Sequence, residues 1–173
     1  MIKMTQTVLK KLCDKEHTCC FTGHRDLTEE EKYIAERRIR TLVKAFYEMG
    51  VTDFIAGGAI GFDTVAAATV INMKRSGYPK LRLAVAIPFR DQSERWSSRN
   101  KALYRTILEA ADETVCLNEN YTSSCMMERN MFMVDNSSFC ISYVTRQSGG
   151  SWNTVRYAGQ RGINIINLAE ADW

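Results

Sequence analysis

The sequence predicts an α/β fold, a doubly wound parallel sheet of about six strands with helices on both faces. Three observations predict it. Short apolar runs recur along the 173 residues, separated by segments whose apolar residues repeat at helical spacing. Run and helix alternate, the pattern of right-handed βαβ crossovers. Six of the ten glycines (Gly23, Gly57, Gly58, Gly61, Gly149 and Gly150) fall just after the first, second and fifth runs. Permissive backbone is therefore concentrated at one edge of the sheet, the carboxyl edge, where such folds hold ligands.

The first strand is TCCFT, residues 18–22. A helix follows over 28–49. Thr28 and Glu31 have capping-box spacing, Glu29, Glu30 and Glu31 favour the positive end of the helix dipole, and Gly50 stands where a helix-ending glycine belongs. Ile34, Ile39, Leu42, Val43 and Phe46 supply its apolar stripe. The second strand covers 53–56, and after a glycine turn a helix of small residues runs to about 76. The third strand, LRLAVAIP, spans 81–88 and ends on Pro88. Helix 98–110, strand 113–117, helix 124–135, strand 139–144, helix 153–160 and strand 163–168 complete the chain. Residues 1–17 read as an arm or an extra helix, and residues 18–173 as one domain.

A formal net charge of +3 permits anionic ligands without demanding nucleic acid. No apolar run approaches the roughly 20 residues of a membrane span, and the N-terminus lacks the apolar core of a signal peptide. The six cysteines form no C-x-x-C pair, and Cys19, Cys20, Cys116 and Cys140 lie inside apolar runs, where cysteine behaves as a small hydrophobe. Buried thiols and a cytoplasmic location are expected. No HExxH, paired-cysteine or GxSxG pattern is present, so neither a metal nor a serine nucleophile is predicted.

The candidate site is built from loops on the carboxyl edge. After the first strand, Gly23 lets backbone approach a ligand, His24 offers a donor or a ring, and Arg25 offers a planar fork for phosphate or carboxylate. The second loop, Gly57-Gly58-Ala59-Ile60-Gly61-Phe62-Asp63, opens a helix whose unpaired amides suit an anion. Asp63 either accepts from ribose hydroxyls, caps the helix, or serves as the one candidate catalytic carboxylate. The fifth-strand loop carries Ser148, Gly149, Gly150, Ser151 and Thr154 ahead of a helix. Pro88 ends strand three, beyond which Gln92 could bond a base edge; Trp96 could stack on the base or pack on its own helix. Arg129 and Asn130 begin the helix after strand four, near the same edge.

Taken together, GHR, AGGAIGFD, PF with Gln92, RNMFMVDNSS and SGGSWNTVRYA, in that order over about residues 18–168, resemble the YpsA-like family of the SLOG superfamily. The resemblance implies a Rossmann-like domain and a nucleotide or nucleotide-derived ligand, of ADP-ribose, NAD or nucleoside phosphate type. Relatives in that superfamily include the Lonely Guy phosphoribohydrolases, the molybdenum cofactor carrier proteins and DNA-processing protein A. Lonely Guy enzymes carry a PGGxGTxxE motif whose Glu takes part in glycosidic cleavage. Here the matching stretch, Ser148 to Thr154, lacks both the Pro and the Glu, so binding or sensing is expected ahead of hydrolysis. Resemblance to DNA-processing protein A implies single-stranded nucleic acid as an alternative partner. A homo-oligomer is compatible with all of these readings.

Overall fold

The computed structural model describes residues 14–170. Of the arm expected over residues 1–17, residues 1–13 lie outside the described residues, as does Cys13; residues 15–17 form a 3₁₀ turn capped by Asp14. Strand and helix then alternate in chain order: β1 Thr18–Gly23, α1 Glu29–Glu48, β2 Asp53–Ala56, α2 Phe62–Arg75, β3 Arg82–Ile87, α3 Ser98–Ala110, β4 Glu113–Cys116, α4 Cys125–Asp135, β5 Phe139–Tyr143, α5 Gly149–Gln160 and β6 Asn164–Asn167.

All strand pairs are parallel, in the order β4-β3-β2-β1-β5-β6. The chain winds outward from β1 to β4, crosses to the far side of β1, and winds outward again through β5 and β6. Right-handed crossovers put α1, α2 and α3 on one face and α4 and α5 on the other. The core divides accordingly. Phe21, Phe54, Phe62, Ile39 and Val43 fill the first face, and Cys20, Ile55, Met133, Cys140 and Ala158 fill the second. Phe21 stacks on Phe54 with ring centroids 5.6 Å apart and meets Phe62 edge-on at 6.3 Å. Burying each such ring stabilises the fold by about 1.5–3 kcal/mol.

Local signals explain where the elements begin and end. The Thr28 side chain accepts from the Glu31 amide while Glu31 accepts from the Thr28 amide, so the capping box forms in full. On the stripe of α1, Ile39, Val43 and Phe46 are buried with Ala35, and Leu42 packs at their edge. Ile34 is half-buried. Helix α5 starts at Gly149, four residues before the expected 153, so the SGGS run is its first turn and not a loop ahead of it. Ser148 is extended at the N-cap, and Gly149 has φ +85°, which turns the chain sharply off β5. Cys19, Cys20, Cys125 and Cys140 are buried, but Cys116 is exposed. It is the last residue of β4, an edge strand whose burial is only partial, so its apolar neighbours in sequence do not enclose it.

At the amino edge, opposite the site, the buried Asp53 carboxylate takes the Arg82 guanidinium in a two-pronged pair, with Nε–Oδ1 2.8 Å and Nη2–Oδ2 2.9 Å. Asp53 and Arg82 are partners in the β2–β3 register, so the pair pins the two strands against slippage. Tyr157 of α5 and Arg161, which caps it, both bind Asp135 of α4, tying the two helices of the second face together.

Candidate functional site

The strand order reverses between β1 and β5, and a cleft opens there at the carboxyl edge. Its volume is about 410 Å³, within the range of small-molecule sites. The floor is Thr22 and Gly23, the last residues of β1. One wall is the start of α5, Ser148 to Ser151; the other is the middle of α4, with Met126, Arg129, Asn130 and Met133. His24, Arg25, Asp26, Ala59, Asp63 and Arg146 close the rim. Ser142 stands beside Thr22 in the β1–β5 register, and its buried hydroxyl has no partner among the described residues.

The α5 wall is open. Ser148 makes no capping hydrogen bond, and none of the amides of Gly149, Gly150 and Ser151 donates to another group among the described residues. A Cβ built at Gly149 or Gly150 would meet nothing within 4 Å. These amides and the dipole behind them present partial positive charge to the cleft. The Ser151 hydroxyl donates to the Gly23 carbonyl at 2.8 Å, which fixes the helix end against β1.

The second glycine loop behaves differently. The Phe62 amide, the first of α2, donates to the His24 carbonyl of the β1–α1 loop. A Cβ at Gly57 would lie 2.5 Å from Nη1 of Arg129, and one at Gly61 2.6 Å from Cα of Arg25. A Cβ at Gly23 would lie 2.5 Å from Cδ1 of Phe62, and one at Gly58 3.0 Å from Val85. These four glycines make room for other parts of the protein. Of the helix ends after strands two and five, α2 has its first amide taken up by the protein, whereas that of α5 donates to no other group among the described residues.

Arg129 is buried at 5% exposure. It donates to the Gly57 carbonyl and, through Nε, to Oδ1 of Asn130 at 2.7 Å. Asp63, also buried, accepts a long bond from the Ala59 amide at 3.4 Å. Burial pushes the Asp63 carboxyl above its ordinary range, against the pull of nearby Arg129. Asp63 thus anchors its own loop. The remaining two guanidinium groups are exposed: Arg25, and Arg146, which forms a two-pronged pair with Asp26 at 3.1 Å on both arms.

His24 lies under the rim at 7% exposure, and its Nε2 accepts from the Thr145 amide at 2.9 Å. The ring proton therefore sits on Nδ1. Burial first, and then Arg146, lower its pKa below the ordinary 6.5. Native protein thus binds fewer protons here than unfolded chain. The contribution of His24 to stability is complete above about pH 6.5 and declines as pH falls toward the lowered native value. In His24→Gln the side-chain carbonyl can still accept from Thr145 but cannot titrate. Urea midpoints measured at pH 7.5 and 5 should therefore fall less in the variant than in the wild type. Parallel falls would contradict this assignment.

Of the residues singled out in sequence, Gly23, His24, Arg25, Ala59, Asp63, Arg129, Asn130, Ser148, Gly149, Gly150 and Ser151 meet at this cleft. Gly57, Gly58 and Gly61 lie behind its wall. Thr154 is buried one turn down α5, donating to the Gly150 carbonyl. Pro88, Gln92 and Trp96 are not among the residues lining the cleft. The Pro88 carbonyl accepts from Asn118, Gln92 donates to Tyr104 at 2.9 Å, and Trp96 packs edge-on against Tyr104 at 5.2 Å. Both Gln92 and Trp96 thus contact Tyr104 of α3, and the buried Oε1 of Gln92 has no hydrogen-bond partner among the described residues. Thr22, Asp26, Met126, Met133 and Arg146 are cleft residues that the sequence reading passed over. Arg146 had a local signal, since it stands two residues before the SGGS run, and Met126 and Met133 stand at helical spacing from Arg129 and Asn130.

The model of the YspA SLOG family matches residues 19–162. The chain belongs to this YpsA family. It is similar to the SPβ prophage-derived protein YoqJ of Bacillus subtilis (strain 168), 28% identical over 117 residues that cover 61% of this chain and 68% of that protein. A UPF0398 protein of Bacillus cereus (strain AH187) is 30% identical over 134 residues, 76% of this chain and 72% of that one. A UPF0398 protein of Bacillus velezensis is 31% identical over 104 residues, and the match spans only 57% of its length. Among solved structures, DNA processing protein A of Streptococcus pneumoniae superposes with a TM-score of 0.66 at 17% identity, over 86% of this chain and 48% of that one. The same protein of Helicobacter pylori, whose structure describes its single-stranded DNA binding mode, gives 0.61 at 18% identity, over 86% and 63%. These likenesses establish the Rossmann-like SLOG fold for the YpsA-family chain.

Among the described residues no helix is long and apolar enough to cross a membrane, and no group of three or more His, Cys, Asp or Glu could hold a metal ion.

Proposed function

We propose that the cleft binds a nucleotide or nucleotide-derived ligand, of the ADP-ribose, NAD or nucleoside phosphate class. A phosphate rests on the first turn of α5, within reach of Arg25 and Arg146. The observation that carries this reading is the uncapped helix end facing a cleft rimmed by guanidinium groups. Backbone amides, a helix dipole and planar cations line one cleft, the chemistry of phosphate recognition. The NH₂ of Asn130 and the Nδ1–H of His24 are the remaining donors for the sugar or a second phosphate.

Binding is favoured over hydrolysis because the Asp63 carboxylate is engaged by the Ala59 amide of its own loop, and the stretch Ser148–Thr154 carries no Glu. The structural likeness to DNA processing protein A raises single-stranded DNA as an alternative occupant. The lining carries no Phe, Tyr or Trp on which successive bases would stack, and this supports a compact ligand.

Calorimetry with AMP, ADP-ribose, NAD and a short oligothymidylate tests the reading. At least one of the small nucleotides should bind. Arg25→Ala should weaken that binding about tenfold, the loss of a charge-assisted hydrogen bond, with the thermal midpoint unchanged. Binding of the oligonucleotide alone, with a steep salt dependence, would replace the proposal with the nucleic-acid reading.

A further inference from the structure

The Asp26–Arg146 pair occupies an unusual place. Asp26 stands on the β1–α1 loop and Arg146 on the β5–α5 loop, 120 residues apart in sequence, and both line the cleft. Each side chain is more than half exposed, so packing does not require the pair. Both arms of the guanidinium are used, the geometry in which the same fork would take two oxygens of a phosphate. Arg146 also lies two residues before the uncapped Ser148 and is thus the guanidinium nearest in sequence to the open amides.

We propose that Asp26 is an internal competitor for the anion. Its carboxylate holds Arg146 in the empty cleft, and an entering phosphate must exchange partners with it. The inference rests on the anion-site reading above. Among the described residues the pair is one of two ties between the loops that form the switch point; the exchange releases it and leaves the bond from the Thr145 amide to His24 in place. Weakly charged anions do not displace Asp26, whereas a dianionic phosphate does. Asp26 thereby sets a charge threshold for what the cleft accepts.

Titration of isotopically labelled protein with inorganic phosphate, followed through the amide signals of Gly150 and Ser151, tests this in four proteins: wild type, Asp26→Asn, Arg146→Gln and the double variant. Asp26→Asn should tighten phosphate binding roughly three- to fivefold, the scale of one exposed ion pair released. Arg146→Gln should weaken binding. In the Arg146→Gln background, Asp26→Asn should bring little further gain, because there is no held guanidinium to release. An equal gain in both backgrounds would show a general charge effect and overturn the exchange. No gain in either would overturn it as well. Phosphate that moves neither amide in any of the four proteins would instead overturn the anion site, and the exchange with it. Both positions are exposed, so the urea midpoint should be unchanged in every variant.

Discussion

Replacing Arg129 by methionine should lower the unfolding free energy by about 3–5 kcal/mol. The substitution preserves much of the apolar volume but removes the cation that three buried groups share. The Gly57 carbonyl loses its donor, Oδ1 of Asn130 loses another, and the Asp63 carboxyl, already held high by burial, loses the nearest positive charge opposing that shift. Each orphaned buried acceptor alone costs about 1–3 kcal/mol. The destabilisation should be coupled to Asp63. In the double variant Arg129→Met/Asp63→Asn, the loss should be smaller than the sum of the two single losses, because a neutral side chain no longer strands a buried charge. Urea unfolding of the four proteins measures this. A loss under about 1 kcal/mol for Arg129→Met, or strict additivity, would show that Arg129 is not a keystone of the cleft wall.

Two glycines with nearly the same backbone angle should respond very differently to alanine. Gly61 has φ +80° and its missing Cβ would lie 2.6 Å from Cα of Arg25, whereas Gly149 has φ +85° and nothing within 4 Å. Gly61→Ala combines backbone strain with a collision against another loop, and should cost about 4 kcal/mol. It should also displace Arg25 and weaken nucleotide binding. Gly149→Ala carries only the strain of the left-handed region, about 1 kcal/mol. Thermal or urea denaturation of the two variants separates the cases, and similar losses would contradict the packing account of the second glycine loop.

The contrast shows where sequence reading reaches its limit. The alternation of elements, the capping box at Thr28 and the concentration of glycines on one edge are local signals, and the fold follows from them. What a glycine faces is not local. Gly57 is small because Arg129, 72 residues away, lies on it, and Gly23 because the ring of Phe62 does. Gly149 and Gly150 look the same in sequence but face open space. The strand order has the same character. With the reversal at β1 and β5, the cleft draws on the β1, β2 and β5 loops and on α4, and the β3 loop carrying Gln92 and Trp96 falls outside its lining. Met126 and Met133 stand at i, i+3, i+4, i+7 spacing with Arg129 and Asn130, so they share the face of α4 that lines the cleft; the spacing is legible in sequence, and what is missing is which face turns to the site.

A crystal structure of the protein grown with saturating ADP-ribose, and in parallel with AMP and NAD, tests the central claim most directly. The account predicts density in the cleft between β1 and β5, with phosphate oxygens about 3 Å from the amide nitrogens of Gly150 and Ser151. A nucleotide bound elsewhere on the chain, or seated in the cleft with its phosphates turned away from α5, would contradict it.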